Sequence, residues 1–231
     1  MTGQQLILNI RQSLSLDFAS FIPGSNEQLL ARLKQLAALK VRGFYCIWGN
    51  AGSGKSHLLQ ALCKRASDHG HSSIYLSGQQ LASLPAEALE RMENMDVVAL
   101  DDIDSLLQDA EWEETLFHFY NRIQAQGNTF VVAAEQPPHQ LKVDLPDLQS
   151  RLNAGETYQL RALEDAHKIL FLKSAADLRG FTLGQDVAEF ILLRAARDVQ
   201  SLVAIVDLLD QSSLSEQRQV TVPFAKKILG L

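Results

Sequence analysis

The chain has 231 residues, which suits one α/β domain with a small appendage. Hydrophobic residues make up 46% of it, enough for a core and too many for a disordered chain. The formal net charge of −6 argues against a dedicated, sequence-independent DNA-binding protein, because contacts with phosphates need a basic surface. No apolar run approaches the roughly 18 residues of a membrane span, and no signal peptide is visible, so we expect a cytoplasmic protein without membrane contact.

The first two thirds of the chain alternate between helical and strand patterns. After a loosely structured start, apolar residues at helical spacing predict a helix from about Asn26 to Leu39. Strands are predicted at 44–48, 74–76, 96–102 and 130–134, and further helices at 57–69, 85–92 and 113–126. This alternation predicts a parallel sheet with helices on both faces. Cys46 and Cys63 fall within it, and we interpret both as reduced core residues.

The pattern changes to helices alone after about residue 160. Helices are predicted near 164–178, 186–196, 198–213 and 222–229, and Thr221 followed by Pro223 favours the start of the last one. We therefore expect three parts: a flexible segment (1–12), an α/β nucleotide-binding base (13–160) and a small all-helical lid domain (161–231).

The strongest motif lies between the first predicted strand and the helix after it. Its letters match G-x-x-x-x-G-K-[ST] in full: Gly49, Asn50, Ala51, Gly52, Ser53, Gly54, Lys55 and Ser56. Such glycines let backbone N–H groups turn toward a phosphate chain, and the helix N-terminus adds partial positive charge. Lys55 can reach the β and γ phosphates, and the Ser56 hydroxyl can hold Mg²⁺. A chance glycine-rich turn is the alternative, and the flanking strand and helix argue against it.

Acidic residues follow two of the later strands. Asp101 ends the third strand, where a carboxylate can hold Mg²⁺ directly or through water; the alternative is a turn or a helix cap. Asp102 is either a carboxylate that orients an attacking water or a solvated turn residue. Glu135 ends the fourth strand and either senses the γ-phosphate through water or has no function.

Arg151 follows the fourth strand, on the far side of the sheet from the phosphate loop of its own chain. It can therefore meet a neighbouring subunit's nucleotide, where an arginine supplied in trans is worth about 10³–10⁵ in rate. The alternative is a surface salt bridge worth about 0–1 kcal/mol. Spacing alone favours the salt bridge.

These motifs occur in a specific combination that covers nearly the whole chain. The base and lid resemble the AAA+ core of the replication initiator DnaA, and resemble still more the Hda group of DnaA-related regulatory inactivators. The stretches that carry the resemblance are 18–26, 49–59, 99–103, 121–123, 137–138, 145–152, 179–181 and 222–229. Each motif alone is shared by many AAA+ proteins.

The resemblance implies roles for particular residues. The segment from Phe18 to Asn26, with Phe21 and Pro23, is expected to wrap the base and ribose of an adenine nucleotide, ADP rather than ATP, with Mg²⁺. His57 follows the phosphate loop and is expected to border the same site. Arg151 falls on the family's arginine finger, which Hda-like proteins direct at the ATP held by DnaA. The resemblance therefore favours the trans role of Arg151 and names DnaA as a partner.

Two positions depart from the family pattern. Gln200 stands where DnaA-like lids carry an arginine that contacts the nucleotide, and an uncharged amide cannot neutralise a phosphate. Arg197 is one helical turn away and is a candidate substitute. Glu135 stands where the family usually has Asp. These departures predict weak or absent hydrolysis by the chain itself, with nucleotide as a structural ligand.

The two ends of the chain give further expectations. Gln5, Leu6, Leu8 and Ile10 resemble the Q-L-x-L-x-L peptide that binds the β sliding clamp; the alternative is an edge strand or a frayed terminus. Residues 211–231 contain three basic residues and no helix-turn-helix pattern, so we expect contact with DNA only through the clamp.

The sequence thus leaves three functions to compare. We expect a nucleotide-bound regulator that, with the DNA-loaded clamp, stimulates ATP hydrolysis by DnaA and prevents over-initiation of replication. The alternative is a self-oligomerising AAA+ ATPase, such as a helicase loader or motor. A DNA-binding module is the third, and the charge argues against it.

Overall fold

A computed structural model describes residues 16–194, 198–216 and 218–231 of the chain. The predicted clamp-binding residues Gln5, Leu6, Leu8 and Ile10 lie outside the described residues, as does Arg197. Gln200 lies in a described helix, but its side chain does not belong to the described part. No helix within these described ranges is long and apolar enough to span a membrane.

The base is a five-stranded parallel sheet in the order β2-β3-β4-β1-β5. Its elements are α1 (Glu27–Ala37), β1 (Phe44–Trp48), α2 (Lys55–Asp68), β2 (Ser73–Ser77), α3 (Gly78–Leu81), β3 (Val97–Asp101), α4 (Ala110–Gln126), β4 (Thr129–Ala134), α5 (Pro146–Asn153) and β5 (Glu156–Gln159). The central strands β1, β3 and β4 are almost entirely buried, as expected for a parallel sheet covered on both sides.

Helices cover both faces of this sheet. One apolar cluster joins α1 and α2 to inward residues of the strands such as Ile47 and Val131. The other joins α4 and α5 to the opposite face, around Phe119 and Phe130. Full burial of each such side chain stabilises the fold by about 1.5–3 kcal/mol. Both cysteines are free and buried, and burial raises the pKa of each thiol to about 12, which makes them unreactive core residues.

Three elements of the base were absent from the sequence prediction, the short helix α3 among them, and one predicted helix is wrong. β5 and α5 lie between the fourth predicted strand and the lid. The helix predicted over 85–92 is replaced by two short 3-10 segments, Ala86–Leu89 and Met92–Asn94. Between them Arg91 adopts φ 70°, in the left-handed region, which interrupts any continuous helix.

The lid contains only helices in its described residues: α6 (Asp165–Asp177), α7 (Gln185–Arg194), α8 (Val199–Glu216) and α9 (Val222–Leu229). It has its own apolar core, which includes Phe171, Ile191 and Phe224. Thr221 caps α9 by accepting a hydrogen bond from the N–H of Phe224, as its sequence predicts. The predicted fold class, a parallel sheet with helices on both faces followed by a helical lid, is confirmed.

Candidate functional site

The phosphate loop leaves the carboxyl end of β1 and enters α2 at Lys55. Gly52 and Gly54 have φ of 73° and 104°, a conformation that residues with a side chain rarely adopt. At Gly49 a Cβ atom would overlap the carbonyl oxygen of Leu160, so the loop also packs tightly against the end of β5. The loop therefore has the glycine-dependent shape that its sequence predicts.

Polar groups inside the loop are arranged for an anion. The Lys55 side chain is buried, and its Nζ donates to the carbonyl oxygens of Gly49 at 2.8 Å and Asn50 at 3.3 Å. The Ser53 hydroxyl is buried and has no hydrogen-bond partner among the described residues. Because a buried ammonium and an unpaired hydroxyl are costly, a phosphate group that contacts both would stabilise the loop. The residues present therefore fit a nucleotide's phosphates.

The predicted metal carboxylate is fully enclosed by protein. Asp101 is 1% exposed; its Oδ1 accepts from the N–H of Asp102 at 3.0 Å, and its Oδ2 from the hydroxyl of Tyr75 at 2.8 Å. Ser56, the other predicted Mg²⁺ residue, is exposed in the first turn of α2. No cluster of three His, Cys, Asp or Glu ligands occurs among the described residues. Ser56 and Asp101 would hold Mg²⁺ together with phosphate oxygens and water, and this role stays a prediction.

The carboxylates beside the loop repel one another. Burial raises the pKa of Asp102, with Asp101 adding to the shift and Lys55 opposing it. Burial also raises the pKa of Asp104, whose Oδ2 accepts from the N–H of Glu135 at 3.0 Å. Asp102 and Glu135, predicted as water-orienting and γ-phosphate residues, therefore belong to one acidic group facing Lys55. Their roles stay predictions.

The segment before α1 packs against the start of α2. His57 Nε2 lies 2.9 Å from the carbonyl oxygen of Asp17 and 3.3 Å from the Ser20 hydroxyl. Phe21 meets the His57 ring edge-on, with 5.6 Å between ring centroids, and its ring lies against Gly54. The structure thus brings Phe21 and His57 to the loop, where a nucleoside attached to bound phosphates would lie.

Two other residues predicted to wrap the nucleotide have structural partners. Phe18 is buried in the cluster with α1 and α2. Asn26 is buried, and its Nδ2 donates to the carbonyl oxygens of Pro23 and Arg161 while its Oδ1 accepts from the N–H of Arg161 at 2.8 Å. These contacts fix the shape of the segment. Direct contact of Phe18, Pro23 or Asn26 with a base stays a prediction.

The lid reaches the phosphate loop through Asp198, just before α8. A Cβ placed on Gly52 would lie 3.0 Å from the Asp198 Cβ atom. The Asp198 carboxylate caps α8 by accepting from the N–H and the hydroxyl of Ser201. An anionic side chain therefore stands beside the loop. It lies two residues before Gln200, the position at which DnaA-like lids carry an arginine.

Arg151 lies at the opposite edge of the sheet. It is exposed near the end of α5, and its Cζ atom lies 5.9 Å from the centroid of the Tyr120 ring. Tyr120 in turn meets Phe44, the first residue of β1, at 5.0 Å between ring centroids. Since the phosphate loop follows the last residue of β1, about 13 Å of strand separates the two ends. Arg151 is therefore positioned away from its own phosphate loop.

Sequence analysis missed one residue that supports α5, the helix that carries Arg151. Glu113 is 1% exposed, and its carboxylate accepts from three backbone N–H groups, those of Gln108, Asp144 and Leu145. Leu145 is the N-cap residue immediately before α5. Glu113 therefore anchors the helix that carries Arg151. Its sequence neighbours Glu111 and Glu114 give no signal that distinguishes it from a solvated acid.

Comparison with known proteins decides the family. Residues 13–159 match the model of the bacterial DnaA ATPase domain, and residues 165–229 match the Hda lid domain. The chain belongs to the DnaA-related AAA+ family. It is 40% identical over 230 residues to an uncharacterised protein of Haemophilus influenzae. The alignment covers 99% of this chain and 100% of that protein.

Solved structures support the family fold. Domain III of the Thermotoga maritima initiation protein DnaA superposes with a TM-score of 0.82 at 19% identity, covering 94% of this chain and 97% of that one. AMPPCP-bound DnaA from Aquifex aeolicus gives a TM-score of 0.74 at 21% identity, covering 88% and 67%. Membership in this DnaA-related family supports nucleotide binding and a role related to replication initiation.

Proposed function

We propose that this chain is a nucleotide-bound regulator of replication initiation that supplies Arg151 to the ATP held by DnaA. With the DNA-loaded β sliding clamp, it would stimulate hydrolysis by DnaA and so prevent over-initiation. The observation that carries the proposal is the position of Arg151. The side chain is exposed and stands at the opposite edge of the sheet from its own phosphate loop.

The chemistry of phosphoryl transfer supports this assignment. The transition state spreads negative charge over the phosphoryl oxygens, and an arginine supplied in trans accelerates the step by about 10³–10⁵-fold. That factor corresponds to roughly 4–7 kcal/mol of transition-state stabilisation. The Arg151 guanidinium contacts the Tyr120 ring. It can turn toward a partner's nucleotide at little cost, since an exposed cation–π contact is worth about 0.5–1 kcal/mol.

In this proposal the chain's own nucleotide is a structural ligand, an adenine nucleotide with Mg²⁺, ADP rather than ATP. Gln200 carries no charge and cannot neutralise a phosphate. Asp198 places a carboxylate beside Gly52 and disfavours additional negative charge on the ligand. Both features favour a diphosphate and disfavour turnover of a triphosphate.

Residues 5–10 would tether the chain to the clamp. A short peptide of this kind binds weakly alone, and the second contact, Arg151 with DnaA, raises its avidity. DNA then contacts the complex only through the clamp. A self-oligomerising ATPase would also use Arg151 in trans, and it requires hydrolysis by this chain alone, which Gln200 and Asp198 disfavour.

The test is ATP hydrolysis by DnaA with DNA-loaded clamp, in the presence of this chain. Arg151→Ala should reduce the stimulated rate by about 10³-fold or more while folding, clamp binding and ADP affinity stay unchanged. Arg122→Ala is a matched control, because Arg122 is a partly exposed arginine with a cation–π contact of 6.0 Å to Phe119. Full stimulation by the Arg151→Ala protein would disprove the proposal, and robust ATP turnover by the wild-type chain alone would favour the oligomeric ATPase.

A further inference from the structure

Tyr75 stands between the two residues predicted to hold Mg²⁺. It lies on β2, next to β3 in the sheet, and its side chain is partly buried. The hydroxyl donates to Asp101 Oδ2 at 2.8 Å. The side chains of Gln60 and Ser56, both on α2, also interact with this phenol. One hydroxyl therefore links the carboxylate at the end of β3 to the helix that follows the phosphate loop.

The hydrogen bond restricts how Asp101 can present its lone pairs. Oδ1 is directed by the N–H of Asp102, and Oδ2 by the Tyr75 hydroxyl. Each carboxylate oxygen accepts more than one hydrogen bond, so one lone-pair direction on each stays available for a metal ion or its water. Both oxygens are thus oriented before any metal binds. Partners of this kind set the position and basicity of a metal-binding carboxylate, and their loss typically costs 10–100-fold in metal affinity.

We propose that Tyr75 is a positioning residue for Mg²⁺ at the nucleotide site, acting through Asp101 and keeping it aligned with Ser56. This inference rests on the proposed resident nucleotide. It concerns the chain's own site and is independent of DnaA and of the clamp. Tyr75 does not contact the nucleotide or the metal itself; it determines how strongly Mg²⁺ increases the affinity for ADP.

The experiment measures ADP affinity of the isolated chain by calorimetry, in EDTA and over a series of Mg²⁺ concentrations. Tyr75→Phe should leave ADP affinity in EDTA within about twofold of wild type and weaken the apparent Mg²⁺ affinity about tenfold. Tyr45→Phe is the matched control: Tyr45 is buried in β1 of the same sheet, and its hydroxyl lies 3.5 Å from the carbonyl oxygen of Arg42. That variant should behave as wild type.

A double-mutant cycle separates positioning from general structural support. If Tyr75 acts through Asp101, then Tyr75→Phe should have no further effect on Mg²⁺ affinity in an Asp101→Asn background. An equal loss in both backgrounds, an equal loss of ADP affinity in EDTA, or unchanged Mg²⁺ dependence in Tyr75→Phe would overturn the inference. So would a wild-type chain whose ADP affinity does not respond to Mg²⁺. None of these outcomes depends on stimulation of DnaA, which the Arg151 experiment tests separately.

Discussion

The functional side chains at the two edges of the sheet differ in burial. At the carboxyl edge, Lys55 and Asp101 are buried and hydrogen-bonded to neighbouring groups. At the amino edge, Arg151 is exposed and its guanidinium contacts the Tyr120 ring. A group that holds a resident ligand benefits from burial, whereas a group offered to another protein must stay accessible. The difference is what the proposed function requires, with a resident nucleotide at one edge and an arginine offered to a partner at the other.

The functional residue at each edge nevertheless depends on a second side chain for its position. Tyr75 orients the carboxylate at the carboxyl edge, and Glu113 anchors the start of the helix that ends near Arg151. This anchor matters for Arg151, because an exposed arginine side chain does little to fix its own position. Removing the support of one edge while leaving the other intact therefore tests whether the two edges act independently.

The largest expected effect comes from the anchor of α5, the helix that carries Arg151 to the amino edge. Glu113→Gln should destabilise the protein by about 2–4 kcal/mol, because a neutral amide replaces the anion that accepts from three backbone N–H groups. Stimulation of DnaA should fall while ADP affinity stays within about twofold. Denaturant unfolding and calorimetry measure the two quantities.

Glu114→Gln serves as the control for this change. Its carboxylate is exposed and lies 3.7 Å from His118, so stability should change by no more than about 0.5 kcal/mol. If Glu113→Gln is no less stable than this control, the anchoring role of Glu113 is wrong.

A smaller effect is expected at the carboxyl edge. Asp198→Asn keeps an acceptor for the N–H of Ser201 and removes the negative charge beside Gly52. Affinity for ATP should rise about threefold, and affinity for ADP by less, because repulsion grows with ligand charge. Calorimetric titration with each nucleotide measures the two affinities in the variant and in the wild type. The gain should shrink at high salt; a gain that is equal for both nucleotides and independent of salt would contradict it.

The smallest effect concerns the pH dependence of stability at the two ends of β3. Burial raises the pKa of Asp102 above its ordinary value of 3.8, so its protonated form favours folding. That contribution is complete below pH 3.8 and is lost as the pH rises through the folded-state value. Asp102→Asn should therefore stabilise the protein at pH 7, by less than about 1 kcal/mol, and the gain should vanish near pH 3.

Asp96, just before β3, should show the opposite sign. Hydrogen bonds from the hydroxyl and N–H of Ser72 lower its pKa, so its contribution is present above pH 3.8 and is lost as the pH falls through the lower folded-state value. Asp96→Asn should destabilise the protein at pH 7. Thermal unfolding at both pH values compares the variants, and shifts of the same sign would contradict the assignment.

Much of this arrangement could be predicted from the sequence, for physical reasons that differ by element. The first four strands are short apolar runs, and the phosphate loop has a spacing that few other structures use. β5 was missed because Glu156–Gln159 is a largely exposed edge strand of polar residues, without an apolar pattern. Glu113 could not be singled out either, because only the fold shows which glutamate of α4 faces backbone N–H groups.

The pairing of Asn26 with Arg161 has a mechanical consequence. The Asn26 side-chain amide both donates to and accepts from the backbone of Arg161, like the paired hydrogen bonds between two adjacent strands. These two hydrogen bonds hold the segment before α1 to the end of the base. On the other side, Leu163 and His167, at the start of the lid, lie beside Gly24 of the same segment. One segment is therefore fastened both to the end of the base and to the first residues of the lid.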